Sequence, residues 1–182
     1  MFQGIHGFQA VLWDMDGTLA DTRELHFQTW YAAGRELGVP VSRDTFDESF
    51  GQTGMQSAKM MAHGMEADIE AFVARKEELF REMAPGYLSF LPGVRKWLDI
   101  FDQMGMRQAI ASSGPPENIH TVVCVLRIRS FFSALVSGEG RRCKPEPDTY
   151  LVAADKLFTP PSACLVMEDA PVGIEAAHRA EG

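Results

Sequence analysis

The sequence predicts an α/β protein in which a parallel sheet is covered by helices and interrupted by one inserted helical domain. Two observations carry the sheet. Four short apolar runs, at residues 10–13 (AVLW), 107–112 (RQAIAS), 134–137 (ALVS) and 163–167 (ACLVM), each stop at small or polar residues, the grammar of a buried strand opening into a loop. Helical periodicity over 94–104, 116–126, 148–157 and 172–180 alternates with them, and such alternation favours parallel pairing.

The third observation carries the insertion. About ninety residues separate the first strand from the second, whereas a crossover needs only a dozen or so. The stretch reads as helical. One helix over 25–37 ends at Gly38 and Pro40, one or two more fill 45–63, and Ile69, Phe72, Val73, Leu79, Phe80 and Met83 repeat at spacings of three and four, the mark of an amphipathic helix. Pro85-Gly86 is expected to stop that helix, and Pro92-Gly93 marks the return. The organisation is then 1–22 as the first part of the core, 23–88 as the inserted domain and 89–182 as the second part. Gly182 follows a helical pattern, where a glycine normally turns the chain into a further strand, and the sequence holds no such strand.

With 182 residues, 46% hydrophobic and 23% charged, the chain has the composition of an ordinary folded domain. A net charge of -8 disfavours sequence-independent attraction to nucleic acid or an anionic membrane. Cys124, Cys143 and Cys164 are odd in number and lack paired spacing, so neither a disulfide framework nor a zinc site is indicated. No apolar run reaches the length of a membrane span, and the N-terminus lacks the pattern of a signal peptide. A monomer in the reducing cytoplasm is the expectation.

In a parallel sheet, ligands bind beyond the carboxyl ends of the strands. The residues standing there are Asp14 and Asp16, then Ser112 and Ser113, then Lys144, then Glu168 with Asp169. Four acids at one place call for a cation, and an all-oxygen carboxylate set suits Mg2+. Asp14 and Asp169 are the expected side-chain ligands, with Asp16 offering its backbone carbonyl and Glu168 binding directly or through water. Lys144 precedes a helix, where the dipole disfavours a cation, and a phosphate between them would account for its placement. Ser112, Ser113 and the Gly114-Pro115-Pro116 helix start, together with Gly17 and Thr18, offer further groups for an anion. Four carboxylates and a phosphate dianion exceed what Mg2+ and one lysine neutralise, so one acid is expected to be protonated. That role falls to Asp16 as general acid and then base, leaving Asp14 as nucleophile.

Within the insertion, His26 and Trp30 share a helix face. Lys76 lies in the apolar stripe of its own helix and is expected to snorkel outward, the other reading being a charge directed into a cleft. Gln52, Thr53 and Ser57 read as capping residues or specificity contacts. Met55, Met60, Met61 and Met65 read as apolar core.

The segments WDMDGTLADT (13–22), IASSG (110–114), CKPEPDTY (143–150) and MEDAPVGIEAA (167–177) resemble, in order, the motifs of the haloacid dehalogenase superfamily, in particular its members with a small helical cap after the first motif. The resemblance implies a Rossmann-like parallel sheet core with an inserted α-helical cap, and a further C-terminal strand that this sequence does not contain. It implies an aspartyl-phosphate intermediate at Asp14, acid/base work by Asp16, phosphate contacts from Ser112 and Lys144, and Mg2+ held with help from Glu168 and Asp169. An Asp at position 16 is similar to the phosphoryl-transferring members rather than those that cleave carbon-halogen bonds. The chain looks most like sugar-phosphate phosphatases and β-phosphoglucomutase, whose first cap helix carries a His and a Trp resembling His26 and Trp30. In the mutase pattern Lys and Arg stand near Phe50-Gly51-Gln52-Thr53-Gly54, and this sequence has neither. Hydrolysis of a small phosphorylated metabolite is therefore the expected activity, with His26, Gln52 and Lys76 as candidate substrate contacts.

Overall fold

The computed structural model describes residues 7–49 and 53–181. In chain order its elements are β1 (Ala10–Trp13), β2 (Ala20–Asp21), α1 (Arg23–Leu37), α2 (Arg43–Ser49), α3 (Gly54–Met61), α4 (Ile69–Tyr87), β3 (Ser89–Phe90), α5 (Val94–Gln103), β4 (Arg107–Ser112), α6 (Pro116–Val125), β5 (Ala134–Ser137), α7 (Asp148–Lys156), β6 (Cys164–Met167) and α8 (Pro171–Glu181). They form two compact units, one from the chain up to Asp21 and from Ser89 onward, the other Thr22–Leu88.

The first unit holds a parallel sheet in the order β5-β4-β1-β6. All four residues of β1 are buried, as a central strand covered on both faces requires. Alanines at 10, 109, 111, 153, 154 and 176 pack with Leu12, Val136, Tyr150 and Leu157 in the core, and small side chains at so many positions let the helices approach the sheet closely. The one long polar side chain buried in β4, Gln108, accepts from the Trp13 indole N–H at 2.9 Å and donates to the Leu98 carbonyl at 3.2 Å, so its desolvation is compensated. The pairing of β2 with β3, Ala20 against Phe90 and Asp21 against Ser89, brings together the two points where the chain leaves this unit and returns. Neither strand is legible in the sequence, since two residues are too few to show a period.

The second unit is helical. Trp30, Ala33, Phe46, Ala58, Met61, Phe72 and Leu79 form its core. Thr53 caps α3 reciprocally with Gln56, whose side chain accepts from the Thr53 N–H, while Ser57 donates to the Ser49 carbonyl at 3.2 Å. Three expectations are corrected here. First, α4 runs past Pro85 to Tyr87, because a proline one turn from the end of a helix removes a single hydrogen bond and the Leu88 N–H still reaches the Ala84 carbonyl at 3.0 Å. Second, Met61 joins the core but Met55, Met60 and Met65 are exposed, at 38%, 39% and 43%, since Met55 and Met60 stand off the face of α3 that buries Ser57, Ala58 and Met61, and Met65 lies beyond the end of that helix. Third, Lys76 does not snorkel. It is 3% exposed, and its surroundings are described below. Among the described residues no helix is long and apolar enough to cross a membrane.

Candidate active site

The sheet register builds the site. Trp13 stands opposite both Ile110 and Met167, so β1 and β6 finish level while β4 runs two residues further to Ser112, and Asp14 emerges beside Glu168, its N–H donating to the Met167 carbonyl at 2.9 Å. Beyond Asp14 the chain folds back at once. The Gly17 N–H reaches the Ala20 carbonyl at 3.0 Å, and the Leu19 and Ala20 N–H groups both reach the Met15 carbonyl at 3.0 Å. Gly17 adopts φ +81, in the left-handed region that favours glycine, and a Cβ there would collide with the Asp169 carboxylate. Thr18 donates its hydroxyl to Asp169 at 3.2 Å.

Lys144, in the loop between β5 and α7, lies at the centre. Its ammonium is 2.6 Å from Asp14 Oδ1 and 2.6 Å from Glu168 Oε1, with side chains of all three at most 10% exposed. The ring centroid of Tyr150 lies 5.0 Å from the same nitrogen. Glu168 is fully engaged, because its second oxygen accepts from the N–H groups of Asp169 at 2.7 Å and Ala170 at 3.2 Å, the exposed amides that precede α8. Gly173 makes room for it, since a Cβ there would overlap the Glu168 carboxylate. Ser112 is buried, and its hydroxyl accepts from the Gly114 N–H at 3.1 Å. Ser137 donates to the Gly114 carbonyl at 2.6 Å and so holds the turn that leads into α6. Ser113 is exposed and Asp16 half-buried.

The electrostatics follow from burial and charge count. Burial pushes the Asp14 carboxyl up to about 8, and Glu168 and Asp16 add to the shift, while Lys144 opposes it. Burial works against the Lys144 ammonium, but Asp14, Tyr150 and Glu168 outweigh it and hold the lysine protonated well above its ordinary range. Burial and then Glu168 also raise Asp169. Asp14, Glu168 and Asp169 each bring a carboxylate oxygen into a group spanning no more than 4.8 Å. With all three ionised, the carboxylates would outnumber the one ammonium, an excess that the raised Asp14 and Asp169 reflect and that a hard divalent cation on an all-oxygen donor set would relieve.

The structure thus brings together Asp14, Lys144, Glu168 and Asp169, with Gly17 and Thr18 against Asp169. His26 and Lys76 meet each other in the helical unit, Lys76 Nζ lying 3.0 Å from His26 Nδ1 and 3.0 Å from Glu77 Oε1. The rings of Trp30 and Phe80 lie 5.4 Å from that nitrogen, and His26 packs on Phe80. A lysine so placed has a carboxylate, an imidazole nitrogen and two ring faces within the fold, which is why it stays inside. Gln52 lies outside the described residues. Sequence reasoning missed Tyr150, although it closes the CKPEPDTY segment six positions after Lys144, and it missed Gly173, whose role is to leave space.

The family profile described as haloacid dehalogenase-like hydrolase matches residues 11–181. The phosphorylated carbohydrates phosphatase of Thermotoga maritima is 28% identical over 175 residues, which cover 94% of this chain and 81% of that protein. The β-phosphoglucomutase of Bacillus subtilis is 29% identical over 178 residues, 92% of this chain and 78% of its own. Among solved structures, CbbY from Rhodobacter sphaeroides, crystallised with phosphate, superposes with a TM-score of 0.86 at 27% identity, covering 95% of this chain and 83% of that one. With strand order, site geometry and a match over nearly all of its length in agreement, this chain belongs to the haloacid dehalogenase-like hydrolase family.

Proposed function

We propose that this protein is a Mg2+-dependent phosphatase that hydrolyses a small phosphorylated metabolite, of the sugar phosphate class, through an aspartyl-phosphate on Asp14. The observation that carries the reading is the Lys144 ammonium held at 2.6 Å from both Asp14 and Glu168, beside a third carboxylate. A nucleophilic oxygen, a fixed cation for the transferring group and a divalent cation site then lie at one sheet edge. Positioning and charge neutralisation are most of what phosphoryl transfer asks of a protein.

Asp14 and Asp169, with the Asp16 carbonyl, would hold Mg2+, and Glu168, already occupied by Lys144 and two backbone amides, would reach it through water. Bound there, the ion would neutralise charge on the phosphate oxygens. In the first step an Asp14 oxygen bonds to phosphorus as the bond to the leaving oxygen breaks, and Asp16 gives its proton to that oxygen. In the second, Asp16 takes a proton from water, the water oxygen bonds to phosphorus, and the bond to Asp14 breaks, releasing phosphate. Lys144 and the Ser112 turn hold the phosphoryl oxygens throughout. The helical unit takes the part of the cap that the resemblance implies.

Support for the substrate class comes from the Thermotoga phosphatase named for phosphorylated carbohydrates. A phosphosugar mutase is the second reading, favoured by the mutase relative and disfavoured by the absence of Lys and Arg around residues 50–54. A screen of phosphate monoesters with Mg2+ tests the proposal. Phosphate release abolished by Asp14→Asn is expected. No release from any monoester, or full turnover by the variant, would sink it, and interconversion of glucose 1- and 6-phosphates faster than hydrolysis would favour the mutase.

A further inference from the structure

Tyr150 is 1% exposed, yet among the described residues its hydroxyl has no hydrogen-bond partner. The hydroxyl is near enough to the Lys144 ammonium for each to shift the other's titration, but it makes no hydrogen bond, and a buried polar group left unpaired costs stability. The ring has a definite neighbour instead, the Lys144 ammonium 5.0 Å from its centroid, within the range of a cation–ring attraction that strengthens when water is excluded. Lys144 hangs from a loop rather than from a strand or helix, and a lysine side chain has four rotatable bonds to fix. Tyr150, by contrast, sits in the first turn of α7 with its ring in the core cluster. The rigid element therefore backs the flexible one.

We propose that Tyr150 is a positioning residue. Its ring seats the Lys144 ammonium so that it bridges Asp14 and Glu168 before substrate arrives. The ring, not the hydroxyl, carries the role. For turnover this rests on the phosphatase reading, but the seating of Lys144 does not.

Three variants test it, each with kinetics on a hydrolysed monoester and with metal-free urea unfolding. Tyr150→Phe is expected to keep kcat within about twofold and to be no less stable, since it removes only an unpaired hydroxyl. Tyr150→Leu is expected to lower kcat about tenfold with KM nearly unchanged, the size of a desolvated cation–ring contact. Tyr150→Met stands in for it if the leucine variant does not fold. A Lys144→Ala/Tyr150→Leu double-mutant cycle in urea needs no activity, and a coupling of about tenfold in the unfolding constant is expected between the two positions. Additive effects in that cycle would overturn the proposal. So would a crystal structure of Tyr150→Leu with the ammonium still on both carboxylates, or a Phe variant as impaired as Leu. If the wild type released no phosphate while the coupling was present, the functional reading alone would fail.

Discussion

Lys144 in the sheet-bearing unit and Lys76 in the helical unit are both enclosed, with 8% and 4% of their side chains exposed, but their surroundings differ in charge. Lys76 has one carboxylate, Glu77, an imidazole and two aromatic faces. Lys144 faces two carboxylates directly and a third close by. The first arrangement is balanced by the fold alone, whereas the second carries surplus negative charge once its carboxylates are ionised. Burial of a charge is therefore not by itself a sign of chemistry. In the proposed function the uncompensated remainder is what a cation and a phosphate would meet.

Several variants would break or sharpen that contrast. After Asp14→Asn, expected to abolish phosphate release, the largest effect is expected at Asp16, where Asp16→Asn would remove the proposed proton donor and should lower kcat by roughly 10²–10⁴-fold with little change in thermal stability. Next is Lys144→Ala, which leaves Asp14 and Glu168 buried without their cation. Urea unfolding without metal should show a loss of about 3–5 kcal/mol, and millimolar Mg2+ should restore part of it because a divalent ion supplies the missing charge.

The pH dependence of the metal-free protein gives a related check on the same surplus. The folded Asp14 carboxyl lies near 8 against 3.8 for the unfolded chain, so between those values the native state binds more protons and stability falls as pH rises. The melting temperature of wild type relative to Asp14→Asn should therefore drop from pH 5 to pH 8, and a flat difference would contradict the burial argument. Smaller still is Lys76→Met, expected to cost about 1–3 kcal/mol from the groups left without their partner, and here Mg2+ should restore nothing. A cap substitution that removes no charge, Thr53→Ala, should cost about 1 kcal/mol and leave kinetics unaltered.

The sheet was legible because each of its strands is a short apolar run that ends at a small or polar residue, and Asp14, Glu168 and Asp169 at the ends of those runs, with Lys144 in the loop after the third, are residues that the fold brings together. What the sequence could not show is pairing. Nothing in the position of Lys144 says that its ammonium would lie between Asp14 and Glu168 rather than against the dipole of α7. Lys76 misled for a similar reason, because a lysine in an apolar stripe looks alike whether it reaches outward or finds Glu77, His26 and two rings within. The strands β2 and β3 escaped notice through brevity, and the continuation of α4 past Pro85 because a proline's effect depends on how much helix remains beyond it.

Gly17 and Gly173 lie directly against two acids of the cluster, Asp169 and Glu168, and each gives them clearance. Such positions offer a way to silence the protein sterically. A single added methyl at Gly17 or Gly173 would displace a carboxylate, and with it the hydrogen bonds that carboxylate accepts, without altering net charge. An alanine at Gly173, where no left-handed backbone adds strain, would thus test what the placement of a carboxylate contributes in a protein whose net charge is that of the wild type.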